Sequence, residues 1–225
     1  MNIKIKSIAL ATITYVLSTG MTQAALITTN TLSVTDDFNN FVKGNTIIYS
    51  QLNGQVALAS GAILSSTSNN SFIGDNNGLD YSLFNNGSWN AAGRDGFAAL
   101  SDDSGTMTFV LPYEVNYVGG FMNYSSPLTS GTNVIISAFD SLNNELVSYT
   151  LNTEAAISTS GTNEGAFRGI LWTDPLIKTF QISNSYVVLD DLTFGTAAVP
   201  VPAAMWLFGS GLLGLVAVAR RKVRA

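Results

Sequence analysis

The chain of 225 residues contains no cysteine and no histidine. Without cysteine there is no disulfide framework, no thiolate nucleophile and no thiolate metal site. Without histidine, His-dependent catalytic triads and the usual imidazole ligands of zinc and copper are also excluded. Carboxylates remain as the only strong acid–base or metal-binding side chains, so any catalysis would have to rely on them.

Basic residues are few, and most of them stand at the two ends of the chain. Residues 25–197 contain only four basic residues against all 15 acidic ones, a formal charge of −11 for this central region. Such a charge repels nucleic acid phosphates and anionic lipid and attracts cations. The composition therefore argues against a nucleic acid as a partner. The four basic residues are Lys43, Arg94, Arg168 and Lys178.

Residues 1–24 have the organisation of a secretory signal peptide. Two lysines precede a largely apolar run at residues 8–17, and the small residues Thr22 and Ala24 suit the −3 and −1 positions of a cleavage site after Ala24. The run is shorter than the ~20 residues that a transmembrane helix needs, which disfavours the alternative of an uncleaved anchor. We expect export through the inner membrane and removal of this segment.

A second apolar run lies near the other end of the chain and is followed at once by basic residues. Residues 203–219 are uncharged, and as a helix they would extend about 26 Å, close to the thickness of a hydrocarbon core. Arg220, Arg221 and Lys222 then form a membrane stop, because a positive cluster resists translocation. The pattern predicts a transmembrane helix with the central region outside and a basic tail, residues 220–225, in the cytoplasm.

A proline motif separates the central region from this apolar run. Its residues are Val199, Pro200, Val201, Pro202 and Ala203. Proline fixes φ and bars regular helix, so the two prolines hold an extended segment next to the membrane, where an enzyme can reach it. The alternative is a proline that simply starts the helix of a permanent anchor.

Residues 198–225 present a proline motif, an apolar span and a basic end, in that order, and they resemble the PEP-CTERM sorting signal in its Val-Pro-x-Pro-Ala variant. Val201 stands where that family typically has Glu. The resemblance implies a partner, an exosortase, which is a membrane-embedded processing enzyme of Gram-negative bacteria that make exopolysaccharide. It also implies transient membrane anchoring, cutting near the proline motif, and a final place on the outer surface or in the extracellular matrix.

The central region, residues 25–197, predicts an all-β fold. It is rich in Asn, Ser, Thr and Gly, and its short alternating or β-branched runs show no long helical period. About ten such strands would form a two-sheet sandwich. Residues 61–105 are too long for an ordinary connection, and we expect short strands and functional loops there. The predicted strands are 26–34, 46–49, 55–58, 106–111, 117–122, 133–139, 146–151, 167–171, 177–183 and 186–194.

Several aromatic and glycine positions in this region resemble the jelly-roll ectodomain of many PEP-CTERM proteins. They include Phe38 and Phe41 after the pair Asp36 and Asp37, residues 118–121, and residues 189–194 at the end of the region. The resemblance implies a lectin-like shape.

Calcium is the metal that the residues favour, since it takes carboxylate and amide oxygens. Asp190 and Asp191 lie in the last predicted strand, where alternation places one carboxylate on each face. If the first and last strands adjoin, either residue could pair with Asp36 or Asp37 in a structural Ca²⁺ site. The alternative is an edge-strand charge that prevents aggregation.

Tyr81, Trp89 and Trp172 are candidates for a stacking platform that binds a sugar, because aromatic rings offer apolar area with a polar edge. The alternative is that these rings pack in the interior or in loops.

We predict no enzymatic activity, because no spacing of acidic residues picks out a catalytic pair. The leading interpretation is a binding or structural module associated with exopolysaccharide or biofilm. A secreted carbohydrate-active enzyme that uses paired carboxylates is the alternative. The region has four glutamates, most of them next to turn residues: Glu114, Glu145, Glu154 and Glu164.

Overall fold

A computed structural model describes residues 24–41, 50–52, 54–75, 81–89, 94, 96–101, 104–125, 132–158 and 160–198. The predicted signal peptide, the predicted strand 46–49, the proline motif, the apolar run and the basic tail lie outside these residues, apart from Ala24 at the predicted cleavage site.

β-Strands dominate the described residues, which confirms the all-β prediction. In chain order they are β1 (Ala25–Ile27), β2 (Ser50–Gln51), β3 (Val56–Ala57), β4 (Ile63–Ser66), β5 (Ser71–Asp75), β6 (Tyr81–Ser82), β7 (Ser88–Trp89), β8 (Gly96–Ser101), β9 (Thr106–Val115), β10 (Tyr117–Tyr124), β11 (Ile135–Phe139), β12 (Glu145–Thr150), β13 (Thr162–Asn163), β14 (Ala166–Leu171), β15 (Ile177–Ser183) and β16 (Tyr186–Gly195). One helical turn, α1 (Leu151–Glu154), follows β12, and single 3-10 turns lie at Asn39–Phe41 and Phe84–Asn86.

Two large sheets enclose the main core. The seven-stranded sheet has the order β1-β14-β10-β16-β8-β5-β2, and the six-stranded sheet has the order β12-β11-β15-β9-β4-β3. Alternation along the strands explains how they bury one face: in β9, Met107, Phe109 and Leu111 are buried while the residues between them are half-buried. These side chains share a core with residues of the facing sheet such as Val187 and Leu189.

A small third sheet, with the order β13-β7-β6, covers part of the outer face of the seven-stranded sheet. Leu83 and Trp89 pack there against Phe97, Ala99 and Val188. Strand β8 is therefore buried on both faces, by the main core on one side and by this second core on the other.

Both ends of the folded region emerge at the same end of the sandwich. Ala25 pairs with Leu171, Leu171 pairs with Tyr117, and Tyr117 pairs with Gly195, so the four residues form one row across the sheet. At about 4.8 Å per strand, the first and last residues of this row lie about 14 Å apart. We call this end of the sandwich, marked by that row, the chain-exit end, and the opposite end the distal end.

Candidate functional site

The last described residues are held by one asparagine at the chain-exit end. Asn116 is the single residue between β9 and β10, and it is buried. Its side-chain Nδ2 donates to the carbonyl oxygen of Ala197 at 3.0 Å, and its Oδ1 accepts from the amide of Ala197 at 2.8 Å. Its own amide also donates to the carbonyl oxygen of Gly195 at 3.2 Å. The amide side chain thus continues the pairing of β16 by two residues and fixes the chain up to Ala197.

The sorting residues predicted from the sequence follow directly on this fixed segment. Val199, Pro200, Val201, Pro202 and Ala203, and the membrane stop at Arg220, Arg221 and Lys222, lie outside the described residues. Within the part of the chain that the structure describes, no helix is long and apolar enough to cross a membrane.

A buried carboxyl group lies in the middle of the seven-stranded sheet. Asp190 has no exposed surface; its Oδ1 accepts from the amide of Asp191 at 2.6 Å, and its Oδ2 has no hydrogen-bond partner among the described residues. Burial raises the pKa of Asp190 to about 8, and the negative charge of Asp191 adds to that rise. Asp190 is therefore mostly protonated at neutral pH.

Asp191 adopts a strained conformation beside it, with φ at 52°. The β10–β16 pairing shifts register here, between Gly119 and Phe121, and this bulge turns the side chain of Asp191 toward Arg94. Arg94 Nε donates to Asp191 Oδ2 at 2.9 Å. Burial nevertheless raises the pKa of Asp191, because the half-buried site disfavours the charge more than Arg94 stabilises it.

Arg94 connects several groups on the outer face of the sheet. Besides Asp191 it forms an ion pair with Glu164, and its guanidinium carbon lies 3.7 Å from the centre of the Phe121 ring. The resulting group of a cation, two carboxylates and an aromatic ring lies beside the protonated Asp190.

The segment that carries Asp36 lies next to the last strand, as the calcium hypothesis requires. Asp36 forms an isolated antiparallel bridge with Leu192, and the amide of Thr35 donates to the carbonyl oxygen of Leu192 at 3.0 Å. The buried Asp36 carboxylate accepts from the amides of Phe38 at 3.1 Å and Ser60 at 2.9 Å. Both of its oxygens thus hold backbone in place.

Asp37 is exposed, and its carboxylate accepts from the backbone and side-chain amides of Asn39 at 3.1 and 2.8 Å. Burial is the main cause of the raised pKa values of Asp190 and Asp191, and the negative charge of Asp37 is a smaller cause of the same sign. Among the described residues, no three acidic side chains stand close enough together to hold a metal ion. A calcium ion here would need backbone carbonyl and water ligands as well, and the site stays a prediction.

The alternative for Asp190 and Asp191, an edge-strand charge, is wrong. Strand β16 lies between β10 and β8 in the order of its sheet, so it is not the edge strand that this alternative requires. The sequence contains no signal that separates an edge strand from a central one when both carry a charged pair.

The three aromatic candidates do not form one platform. Tyr81 and Trp89 pair across β6 and β7, and the Tyr81 ring lies 5.6 Å from that of Phe97. Trp89 is fully buried, whereas Trp172 is buried at the chain-exit end, where its amide donates to the carbonyl oxygen of Asn116 at 2.7 Å. Both tryptophans fit the alternative of interior packing, because a sugar needs an exposed ring face.

Sequence reasoning missed the roles of Arg94 and Asn116. Arg94 had a usable signal, since it is one of four basic residues in a strongly acidic region and must have acidic neighbours. Asn116 had none, because one Asn among many does not reveal that it is a single-residue connection between two long strands.

Comparison with known proteins identifies the segment that follows Ala197. Residues 198–222 match the family model of the PEP-CTERM protein-sorting motif. No curated protein and no solved structure matches the chain.

Proposed function

We propose that this chain is a surface or extracellular-matrix protein whose sandwich is a binding or structural module. The chain carries a PEP-CTERM protein-sorting motif. Such a motif implies an exported protein that an exosortase processes. The observation that carries this proposal is the boundary at Ala197. The folded sandwich ends there, held by Asn116, and the motif begins at the next residue. A processing enzyme in the membrane could then act on the motif without unfolding the sandwich.

The finer parts of the proposal concern the two ends of the chain. Residues 1–24 act as a signal peptide that is removed on export, and residues 203–219 form a transmembrane helix stopped by residues 220–225. The exosortase cuts near Pro200 and Pro202, and the sandwich passes to the outer surface or the medium.

We also propose a jelly-roll arrangement for the two facing sheets, in keeping with their long antiparallel strands.

The sandwich acts, in this proposal, without catalysis and contacts exopolysaccharide or other biofilm matrix. The four glutamates of the region are all exposed on the surface, so none of them lies in the kind of sheltered site in which a general acid works. Asp190 has the raised pKa of an acid catalyst, but it is fully buried. A polysaccharide could not reach it without rearrangement of the sheet.

The alternative, a carbohydrate-active enzyme with paired carboxylates, rests on this same Asp190 and its neighbour Asp191. Incubation with exopolysaccharide from the host separates the two functions. Co-sedimentation of the protein with polymer of unchanged length supports the binding module. Shortening of the polymer that is lost in Asp190→Asn supports the enzyme.

Substitution of the prolines tests the sorting proposal. The double variant Pro200→Ala and Pro202→Ala should accumulate in the membrane at full C-terminal length, because the motif that the exosortase acts on is gone. Pro175→Ala is the matched control, since Pro175 is an exposed proline in the loop before β15. Normal release of the double variant would contradict the proposal.

A further inference from the structure

Exposed apolar side chains gather at the chain-exit end of the six-stranded sheet. Tyr113 on β9, Leu176 just before β15 and Leu142 in the turn after β11 have 55%, 40% and 81% of their surface exposed. Strands β9, β15 and β11 are consecutive neighbours in that sheet. Three adjacent strands thus each present a large apolar side chain to the outside at the same end of the sandwich.

The register of the strands fixes this placement. Ile177 pairs with Val115, directly next to Asn116, so Leu176 lies at the chain-exit end. Phe139 pairs with Thr179, close to the start of β15, and the turn at residues 140–144 therefore lies at the same end.

Leu142 is held outward by a rigid turn. The Asp140 carboxylate accepts from the amides of Leu142 at 2.9 Å and Asn144 at 2.8 Å, and from the Asn144 side chain at 2.9 Å. These hydrogen bonds lower the pKa of Asp140 and keep it ionised, and the one from the Asn144 side chain has the largest effect. These hydrogen bonds fix the turn, so the Leu142 side chain at its tip stays exposed. It is therefore suited to contact with an apolar surface outside the domain.

The chain leaves the sandwich at this same end, with little length to spare. Ala197 is fixed by Asn116, and the apolar run begins at Ala203. The six steps between them extend at most about 22 Å. The headgroup layer on one side of a bilayer takes up about 5–7 Å of that distance. If residues 203–219 lie in a membrane, the chain-exit end is kept within reach of its surface.

We propose that the chain-exit end rests on the lipid surface of the membrane that holds the C-terminal segment, with Leu142 and Leu176 entering the interface and Tyr113 at headgroup level. This inference rests on the membrane segment of the proposed function. Leucine side chains gain from leaving water, and tyrosine is suited to the boundary between headgroups and hydrocarbon. The distal end of the sandwich then faces away from the membrane.

Acidic neighbours keep this contact weak. Glu114, Asp174 and Glu145 are exposed near the three apolar side chains in the sequence, and the ionised Asp140 lies in the turn of Leu142. These carboxylates repel anionic lipid. The short tether compensates, because it sets an effective concentration on the order of millimolar. Cutting the tether removes this effect, so a processed sandwich leaves the membrane surface unaided.

The absence of cysteine makes a direct test possible, since any single introduced cysteine is the only labelling site. The chain from residue 25 to residue 225 is reconstituted into phosphatidylcholine vesicles that contain brominated lipid as quencher. A fluorescent label is placed through Leu142→Cys, Leu176→Cys or, as the distal control, Asn69→Cys. Asn69 is exposed in the turn between β4 and β5.

We expect the lipid to quench the labels at positions 142 and 176 and to leave the label at position 69 unchanged. Addition of Leu142→Asp should reduce the quenching at position 176, since a charge at the tip opposes entry into the interface. Leu142 is exposed, so circular dichroism should show an unchanged fold in these variants.

Three results would overturn the inference, and the first two leave the proposed function intact. A chain that floats with the vesicles while the label at position 142 remains unquenched contradicts this inference alone. If the label at position 142 is shielded from water only in host membranes that contain the exosortase, the partner of this end is the enzyme and not lipid. A chain that does not float with the vesicles contradicts the membrane segment itself, and with it the inference.

Discussion

Asn116 and Ala197, which are 81 residues apart in the sequence, form a reciprocal pair of hydrogen bonds at 3.0 and 2.8 Å. An asparagine side chain presents the same donor and acceptor as a backbone peptide group, so it can extend a strand where no neighbouring strand continues. The bonds lie at the boundary between the sandwich and the sorting motif. They hold the chain up to Ala197, directly before the residues that match the sorting motif.

Asn116→Ala should loosen the last residues of the sandwich. The change removes both hydrogen bonds, and we expect the free energy of unfolding to fall by about 1–2 kcal/mol. Hydrogen exchange at Ala197 should accelerate while exchange in β9 and β10 stays slow. Asn69→Ala, in an exposed turn at the distal end, is the control and should change neither quantity. Unaltered exchange at Ala197 in Asn116→Ala would show that these hydrogen bonds do not fix the chain.

Asp190 should make the sandwich less stable as the pH rises. Its pKa is about 8 in the folded chain and about 3.9 in the unfolded chain. Between these values the unfolded state binds fewer protons, so the free energy of unfolding falls by up to about 1.4 kcal/mol per pH unit and levels off above pH 8. Asp190→Asn should flatten this slope in urea unfolding between pH 5 and 8.

Asp140→Asn provides the control for this measurement. The pKa of the exposed Asp140 is lowered by hydrogen bonds from Asn144, so its contribution to stability is lost only as the pH falls through that lowered value. The slope between pH 5 and 8 should therefore match that of the wild type. If Asp190→Asn also keeps the wild-type slope, Asp190 is not the group that titrates.

Arg94 should stabilise the outer face of the seven-stranded sheet. Arg94→Met keeps a long apolar side chain over Phe121 but leaves the half-buried Asp191 without its cation, and we expect a loss of about 1–3 kcal/mol in denaturant unfolding. Glu164→Gln removes the exposed partner of the same arginine and should cost less than about 1 kcal/mol. Equal effects of the two changes would contradict the assignment of Asp191 as the main partner.

The calcium hypothesis predicts that excess Ca²⁺ raises the thermal midpoint relative to EDTA. If Asp190 is the ligand, the gain should disappear in Asp190→Asn, because that change removes a carboxylate whose Oδ2 has no hydrogen-bond partner among the described residues. Magnesium at equal concentration should be less effective, since it demands a stricter octahedral geometry. An identical midpoint in EDTA and in Ca²⁺ would end the hypothesis.

Much of the sandwich could be predicted from the sequence where strands alternate or carry β-branched residues. The predicted strands 177–183 and 186–194 agree closely with β15 (Ile177–Ser183) and β16 (Tyr186–Gly195). The prediction of 26–34 as one strand was too long, since β1 ends at Ile27. The segment beyond it crosses to pair with β16 through Asp36 and Leu192, and such a crossing depends on tertiary contacts.

Short strands were expected within residues 61–105, but strand β8 (Gly96–Ser101) was not located there, and its environment explains why. Ala98 and Ala99 have low β-propensity, and the strand has no alternation because both of its faces are buried. The second core that covers it depends on Trp89 and Leu83, which stood in a polar region that sequence patterns do not resolve. The position of Arg94 over Phe121 depends on the same packing and was equally hidden.

The intact mass of the protein from membrane, outer-surface and medium fractions of its native host tests the central claim most directly. Processing predicts a chain that starts at Ala25, ends between Val199 and Pro202, and is found outside the inner membrane. A chain that still contains Trp206 and the residues that follow it, found only in membranes, would show a permanent anchor and contradict the sorting account.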